Sequence, residues 1–204
     1  MKSIKAIILD IGGVMILGDN LDTHYQKMCK HLGLDYEKFM ESRKRHIMSA
    51  AKNKISGKVM IRLIAKEMNL PYEKLLVNWI KYKKESIEKN VELEKMVKKL
   101  KRQGYVVGSC SNVIDIHQKA CKEKGIYDVF KFNLFSFKEK CSKPDVRIYK
   151  ILLKKLKLEA KQVAFIDDYQ ICLDGARKVG INTIRFKNNK QLFQDLNKLG
   201  VKVK

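Results

Sequence analysis

The chain opens on a short apolar run, Ile4 to Leu9, that ends in Asp10-Ile11-Gly12-Gly13-Val14. An apolar run entering a glycine pair reads as a buried strand followed by a tight turn. From about Asp22 to about Ile87 the apolar positions recur at helical spacing and offer no good strand. The predicted helices there cover 25–32, 36–51, 59–68 and 72–87, punctuated by Gly33, Ser56-Gly57 and Leu70-Pro71. Beyond Ile87 the two patterns alternate. Helices are predicted over 91–102, 114–124, 145–156, 173–179 and 191–199, with strands over 105–109, 131–136, 163–166 and 182–186. That alternation predicts an α/β fold built on a doubly wound parallel sheet. The helical stretch becomes an insertion after strand 1, with residues 1–17 and 88–204 forming the sheet domain and 18–87 a small all-helical one.

In such sheets ligands bind beyond the carboxyl ends of the strands. Four predicted strand ends carry chemistry there. Asp10 follows the first strand, with Gly12 and Gly13 permitting close backbone approach. Ser111 and Asn112 follow the second, Ser142-Lys143-Pro144-Asp145 the third, and Asp167-Asp168 the fourth. Three carboxylates with an oxygen-rich face suit Mg2+. A lysine and a serine opposite them would grip a phosphoryl group, and a carboxylate there can act as nucleophile through an aspartyl-phosphate. Singly, each residue has an ordinary structural role: Asp10 in a turn, Ser111, Asn112, Asp167 or Asp168 as a helix cap, Lys143 as one surface cation among many. Four in order, each at a strand end, mark a site.

The segments Ile7-Ile8-Leu9-Asp10-Ile11-Gly12-Gly13-Val14, Ser111-Asn112, Lys143-Pro144-Asp145 with Ile148-Tyr149, and Phe165-Ile166-Asp167-Asp168 resemble the four motifs of the haloacid dehalogenase-like hydrolase superfamily. The tail from Asp174 to Ile181 resembles the segment after that family's last acidic motif. The resemblance covers the whole chain. It implies a Rossmann-like catalytic core with a helical cap over 18–87, and a Mg2+-dependent phosphatase acting on a small phosphorylated metabolite. It also implies residue roles: Asp10 as nucleophile, Ser111 and Lys143 holding the transferring oxygens, Asn112 ordering its loop, and Gly12, Gly13, Ser111, Asn112 and Lys143 binding the substrate. Mg2+ would be held by Asp10, the Gly12 carbonyl and Asp168, with Asp167 ligating through water or orienting its neighbour. Family phosphatases usually carry a second Asp two residues after the nucleophile as general acid/base. Gly12 stands there, as in the branch near the phosphatase domain of bifunctional epoxide hydrolases and bacterial sugar-1-phosphate phosphatases. General acid catalysis contributes about 10²–10⁴ in rate, so a slow enzyme is expected, with water, substrate, Asp22 or His24 as replacement proton donor.

Composition changes this picture in one respect. Lys+Arg number 44 against 22 Asp+Glu, a formal net charge of +22, and only seven of the basic residues are arginine. Such a charge attracts anions and, without order, nucleic acid. Specific nucleic-acid readers rely on arginine forks and aromatics at defined places, so lysine spread over every helix reads as a solvated surface, and no specific nucleic-acid partner is expected. Five cysteines without a C-x-x-C pair read as reduced core thiols rather than zinc ligands or disulfides. No stretch approaches the roughly 18 apolar residues of a membrane span, and the first apolar run is too short for a secretion signal. The expectation is a cytoplasmic protein with no membrane partner, as a monomer or homodimer. His31, His46 and His117 read as surface residues, and Trp79 and Met60 as core of the helical insertion. Two other functions compete with the phosphatase: a 2-haloacid dehalogenase, which has no use for the acidic pair Asp167-Asp168, and a catalytically weak binding protein of the same fold that uses its basic surface.

Overall fold

The computed structural model describes residues 3–17 and 21–202, apart from the side chains of Leu21 and Asp22. Strand β1 (Ala6–Leu9) passes through the glycine turn into a two-residue strand, β2 (Ile16–Leu17). Four helices follow: α1 (Leu21–Leu32), α2 (Tyr36–Ala51), α3 (Gly57–Glu67) and α4 (Tyr72–Glu85). Strand β3 (Glu88–Lys89) returns the chain. Then come α5 (Val91–Arg102), β4 (Val106–Ser111), α6 (Asp115–Glu123), β5 (Phe132–Phe135), α7 (Ser136–Glu139) and α8 (Val146–Leu156). Strand β6 (Val163–Asp167), α9 (Gln170–Arg177), β7 (Asn182–Arg185) and α10 (Asn189–Lys198) complete it.

The main sheet is parallel throughout, in the order β5-β4-β1-β6-β7. Strand β1 lies at its centre, and all four of its residues are buried. Successive side chains of a strand point to opposite faces. Ile7 and Leu9 accordingly join Leu93 and Leu100 of α5 and Leu192 of α10, whereas Ala6 and Ile8 join Ile148 and Leu152 of α8 and Leu173 of α9. Burial on both faces explains why the strand reads as continuous aliphatic sequence rather than alternation.

The first and last turns of the helices follow ordinary capping chemistry. Asp35, Ser56, Asn90 and Asn188 each accept a hydrogen bond from a backbone N–H three residues on, satisfying donors that the helix leaves open. Asn90 does more. Its amide donates to the Val14 carbonyl (3.0 Å), and its backbone N–H donates to the Met15 carbonyl (2.8 Å). Together with the antiparallel pairing of β2 with β3 (Ile16 opposite Lys89, Leu17 opposite Glu88), this staples the exit from the sheet to the return. Both strands have two residues, too short to leave a pattern, and the sequence reading missed them.

Helices α1–α4 surround their own apolar cluster, which includes Tyr25, Phe39, Met60 and Trp79 and takes in Ile114 from the loop after β4. Contact with α6 continues beyond that loop. The α3 N-terminus abuts α6: the Gly57 N–H donates to Asp115 Oδ1 (2.9 Å), and a Cβ at Gly57 would collide with Asp115 and Ile116. Trp79 Nε1 donates to His117 Nε2 at 2.7 Å. His117 is therefore not the surface residue expected from its lysine-rich neighbourhood; it is buried between the helical insertion and the sheet domain. The five cysteines are buried, and none of them forms a disulfide. Among the described residues no helix is long and apolar enough to cross a membrane.

Burial, then the charges of Lys83, Arg43 and His24, hold the His117 imidazole well below its usual pKa. It stays neutral when folded but takes a proton near pH 6.5 when unfolded. Stability from this residue is thus complete above pH 6.5 and declines as pH falls below it. The cost is up to about 1.4 kcal/mol per pH unit, roughly 3–5 °C of melting temperature. Melting curves at pH 7.5 and 5.5 test this: His117→Gln, which keeps an acceptor for Trp79 but does not titrate, should lose several degrees less than the wild type over that interval.

Candidate active site

Parallel strands β1, β4 and β6 all end at the same edge of the sheet, so the loops that follow them converge. Asp10, Gly12, Gly13, Ser111, Asn112, Lys143, Asp167 and Asp168, all read from the sequence, line one cavity of about 550 Å³. The hub is Lys143, whose side chain is 1% exposed. Its Nζ lies 2.9 Å from Asp10 Oδ1 and 2.6 Å from Asp167 Oδ2. Burial alone would lower the pKa of this ammonium, yet the two carboxylates hold it well above the usual lysine value.

Each acid is placed differently. Asp167 is fully buried and committed on both oxygens: Oδ2 accepts from Lys143 and Oδ1 from the Tyr169 N–H at 2.9 Å. Asp10 keeps one face open, with its side chain 13% exposed to the cavity. Burial raises the Asp10 pKa; Lys143 pulls it down, and the charge of Asp167 pushes it up again. The Asp168 pKa is raised by burial and by Asp167, and its Oδ1 is buried with no hydrogen-bond partner among the described residues. Ser111 is buried at the end of β4 and faces the same cavity.

The loops are locked to one another. Asn112 Nδ2 donates to the Lys143 carbonyl (2.8 Å), and the Lys143 N–H donates to Asn112 Oδ1 (2.9 Å). The Asn112 amide, expected to touch substrate, is thus engaged in holding the lysine loop. Gly13 adopts φ +69°, and a Cβ there would strike the Asp168 carboxylate. Both facts require glycine at that turn. The left-handed φ belongs to Gly13 and not to Gly12.

The donor set fits a divalent cation. Ligand oxygens of Asp10, Asp167 and Asp168 lie within 4.8 Å of one another. One ammonium faces three carboxylates, so a fully ionised cluster carries two surplus negative charges in a nearly dry site. The unpartnered Asp168 oxygen is part of that surplus. An all-oxygen set with a deep charge deficit suits Mg2+.

The chain also resembles known proteins. The family model described as haloacid dehalogenase-like hydrolase matches residues 7–186. The chain belongs to that family. An HAD family enzyme of Bacteroides thetaiotaomicron, BT-2542, solved in complex with magnesium and inorganic phosphate, superposes with a TM-score of 0.77 at 25% identity, covering 94% of this chain and 100% of that one. A magnesium complex of the same enzyme gives 0.78 at 26% identity, covering 92% and 96%. By sequence, (S)-2-haloacid dehalogenase 4A of Burkholderia cepacia is 36% identical over 90 residues, 44% of this chain and 39% of that protein. The matched stretch thus spans about two fifths of that relative.

Other wall residues of this hydrolase left no sequence signal. Arg43 and Lys83 from the helical insertion, with His117 and Tyr127, also line the cavity. Lys83 sits in a lysine-rich helix where spacing says nothing of its burial, and Arg43 lies between polar neighbours. Of the proton donors considered from sequence, His24 is buried beside Tyr25 (ring centroids 4.0 Å apart) and is not part of the cavity wall, while the side chain of Asp22 lies outside the described residues.

If the acidic cluster takes a divalent cation, Mg2+ should stabilise the fold. Ligand at about 100 times its Kd adds roughly 2.7 kcal/mol, a rise of about 5–10 °C for a chain of this size. Asp168→Asn should lose most of that rise. A wild-type melting curve unmoved by millimolar Mg2+ would contradict the assignment.

Proposed function

We propose that this hydrolase is a Mg2+-dependent phosphomonoesterase that cleaves a small phosphorylated metabolite through an aspartyl-phosphate on Asp10. The observation that carries the reading is the Lys143-centred cluster, in which one carboxylate is left open to a cavity while its neighbour is fully tied down. The magnesium and phosphate complex of the Bacteroides enzyme supports it.

Asp10 is the nucleophile because it alone combines an open face with a fixed orientation. Its Oδ1 is pinned by Lys143 at 2.9 Å, which holds the carboxylate in place for in-line attack. In the first step an Asp10 oxygen bonds to phosphorus, the bond to the ester oxygen breaks, and its electron pair leaves as alkoxide. In the second, a water oxygen bonds to phosphorus, the bond to Asp10 breaks, and inorganic phosphate departs with the carboxylate restored. Lys143 has three N–H donors; two face Asp10 and Asp167, and the third serves a phosphoryl oxygen, alongside the Ser111 hydroxyl. Asp10, Asp168 and the Gly12 carbonyl would hold Mg2+, with Asp167 orienting Lys143 and its neighbour. When bound, the cation neutralises the surplus carboxylate charge and withdraws charge from the phosphoryl oxygens.

Protonation of the leaving group is the weak point. Gly12 carries no acid. His117 lines the cavity, but its Nε2 already accepts from Trp79 and its lowered pKa makes it a poor proton donor. Water or the substrate itself then supplies the proton, and the enzyme is slow with alkyl esters.

The Burkholderia relative raises a second reading, hydrolytic dehalogenation of a 2-haloacid. The surplus charge of the acidic cluster weighs against it, since that reaction has no cation to compensate the repulsion of an anionic substrate. Assays of p-nitrophenyl phosphate and of 2-chloropropionate, each with Mg2+ or excess chelator, separate the two. Phosphate release should require Mg2+ and fall to background in Asp10→Asn, which removes the nucleophile's charge without changing its shape. Halide release indifferent to chelator would establish the second reading instead.

The missing acid generates a further expectation. Turnover should depend steeply on leaving-group pKa wherever attack by Asp10 is rate-limiting. Gly12→Asp, at a position without left-handed φ, should flatten that slope and speed the poorest leaving groups most, by about 10²-fold or more. An unchanged slope in folded Gly12→Asp protein would mean that another residue already supplies the proton.

A further inference from the structure

The wall beside the acidic cluster turns apolar at once. Asp10, Lys143 and Asp168 are each followed in the chain by an apolar or aromatic residue, Ile11, Pro144 and Tyr169, and all three line the cavity. Consecutive Cα atoms lie about 3.8 Å apart, so this surface starts within one residue of the reacting groups. The backbone of Tyr169 is fixed, since its N–H donates to Asp167 Oδ1 at 2.9 Å. Its side chain is left open: Tyr169 is 60% exposed. Ile171 from α9 (61%) and Met48 from α2 (49%) line the same cavity and are open as well. Large apolar side chains exposed together around one cavity mark a ligand surface. A thioether and a tyrosine ring are both favourable partners for an aromatic face.

A polyol would find few partners on this wall. The Asn112 amide is committed on both its atoms to the Lys143 backbone, and His117 Nε2 accepts from Trp79. Of the two cations that the helical insertion adds, Lys83 is buried, and Arg43 lies over the Tyr25 ring, 4.9 Å from its centroid, with its Nε buried. The leaving-group chemistry adds an independent constraint, because Gly12 offers no acid. A phenol, with a pKa of about 10, departs as its anion far more readily than an aliphatic alcohol, an acid about as weak as water at about 15.7. The wall favours a ring, and the missing acid favours a phenolic oxygen.

We infer that the substrate is a small aryl phosphomonoester, with its phosphoryl group on a phenolic oxygen and its ring held by Tyr169, Met48 and Ile171. The inference rests on the phosphatase reading and deepens it by naming the leaving group. An Asp10 oxygen bonds to phosphorus, the bond from phosphorus to the phenolic oxygen breaks, and the electron pair leaves on that oxygen as phenolate. Water protonates the phenolate after it has departed, so no acid is needed at position 12. An ester oxygen bonded directly to the ring leaves no linker, which matches an apolar wall that begins one residue from Asp168. A cavity of about 550 Å³ is in the ordinary range for a small molecule.

Phosphonates, whose carbon–phosphorus bond this reaction does not break, test ring recognition by titration calorimetry in Mg2+ at a pH where all are dianions. Phenylphosphonate should bind the wild type at least about tenfold more tightly than methylphosphonate. It should also bind about threefold more tightly than cyclohexylphosphonate, which has a similar size but no aromatic face. Combining Tyr169→Ala with Met48→Ala should lower the phenyl-to-methyl ratio several-fold. Equal binding of phenylphosphonate and either control by the wild type overturns the inference whether or not the variant folds, and so does a ratio that survives in the folded variant. Turnover tests the leaving group: kcat/KM for phenyl phosphate should exceed that for benzyl phosphate, which puts the same ring on an alkoxide, by about 10²-fold or more. Equal values overturn the phenolic assignment. Acetyl phosphate, with a good leaving group and no ring, separates this inference from the phosphatase reading. If it is hydrolysed in Mg2+ while the preference for phenyl is absent, that reading stands and the inference falls. If neither acetyl phosphate nor phenyl phosphate is hydrolysed, the phosphatase reading falls, and the inference with it.

Discussion

One buried ammonium organises this molecule. Lys143 is held between Asp10 and Asp167 with almost no contact with solvent. Taking a lysine and two carboxylates out of water costs several kcal/mol per charge, and only close pairing offsets it. The pairing in turn demands that the ends of β1 and β6 and the loop between α7 and α8 meet within hydrogen-bonding distance, which a parallel sheet with β1 at its centre allows. The reciprocal Asn112–Lys143 bonds fasten the loop after β4 to the lysine loop, and the Tyr169–Asp167 bond fixes the turn after β6. What remains after this accounting is one open carboxylate and one unpartnered oxygen, on Asp10 and Asp168. The proposed reaction uses those leftovers.

The helical insertion completes the cavity rather than the sheet. It is tied at its base by Asn90 and the β2–β3 pair, and along its flank by Gly57 to Asp115 and Trp79 to His117. Its α2 and α4 then contribute the cationic and apolar wall opposite the acidic cluster. A fold of this kind can host many substrates when the reacting groups sit on the sheet domain and an inserted segment forms the opposite wall.

Much of this was legible in the sequence, for a physical reason. Strands buried on both faces are largely apolar, so the polar residues that end them stand out; Asp10, Ser111, Asp167 and Asp168 were found in that way, Lys143 was read from the loop that leads on from β5 through α7, and all five line one cavity. Helix α2 spans the 36–51 predicted from its apolar spacing, and Asp35 caps its first turn. The two-residue strands β2 and β3 were invisible, since two residues show no alternation. His117 was misread because a polar residue among lysines resembles surface, and only tertiary packing shows that Trp79 reaches across to it. Arg43 and Lys83 escaped for the same reason: long cationic side chains leave no pattern that distinguishes a buried head from a solvated one.

The proposed reaction requires Asp10 to form a covalent bond to phosphorus. Peptide mass spectrometry of protein quenched in acid during turnover of p-nitrophenyl phosphate in Mg2+ and oxygen-18 water tests it directly. A phosphoryl group should appear on the peptide containing Asp10, sensitive to hydroxylamine as an acyl phosphate is, with the heavy oxygen entering the released phosphate and not the Asp10 carboxylate. Steady turnover with an unmodified Asp10 peptide under conditions that preserve acyl phosphates and accumulate the intermediate, or heavy oxygen carried into the Asp10 carboxylate itself, would contradict it.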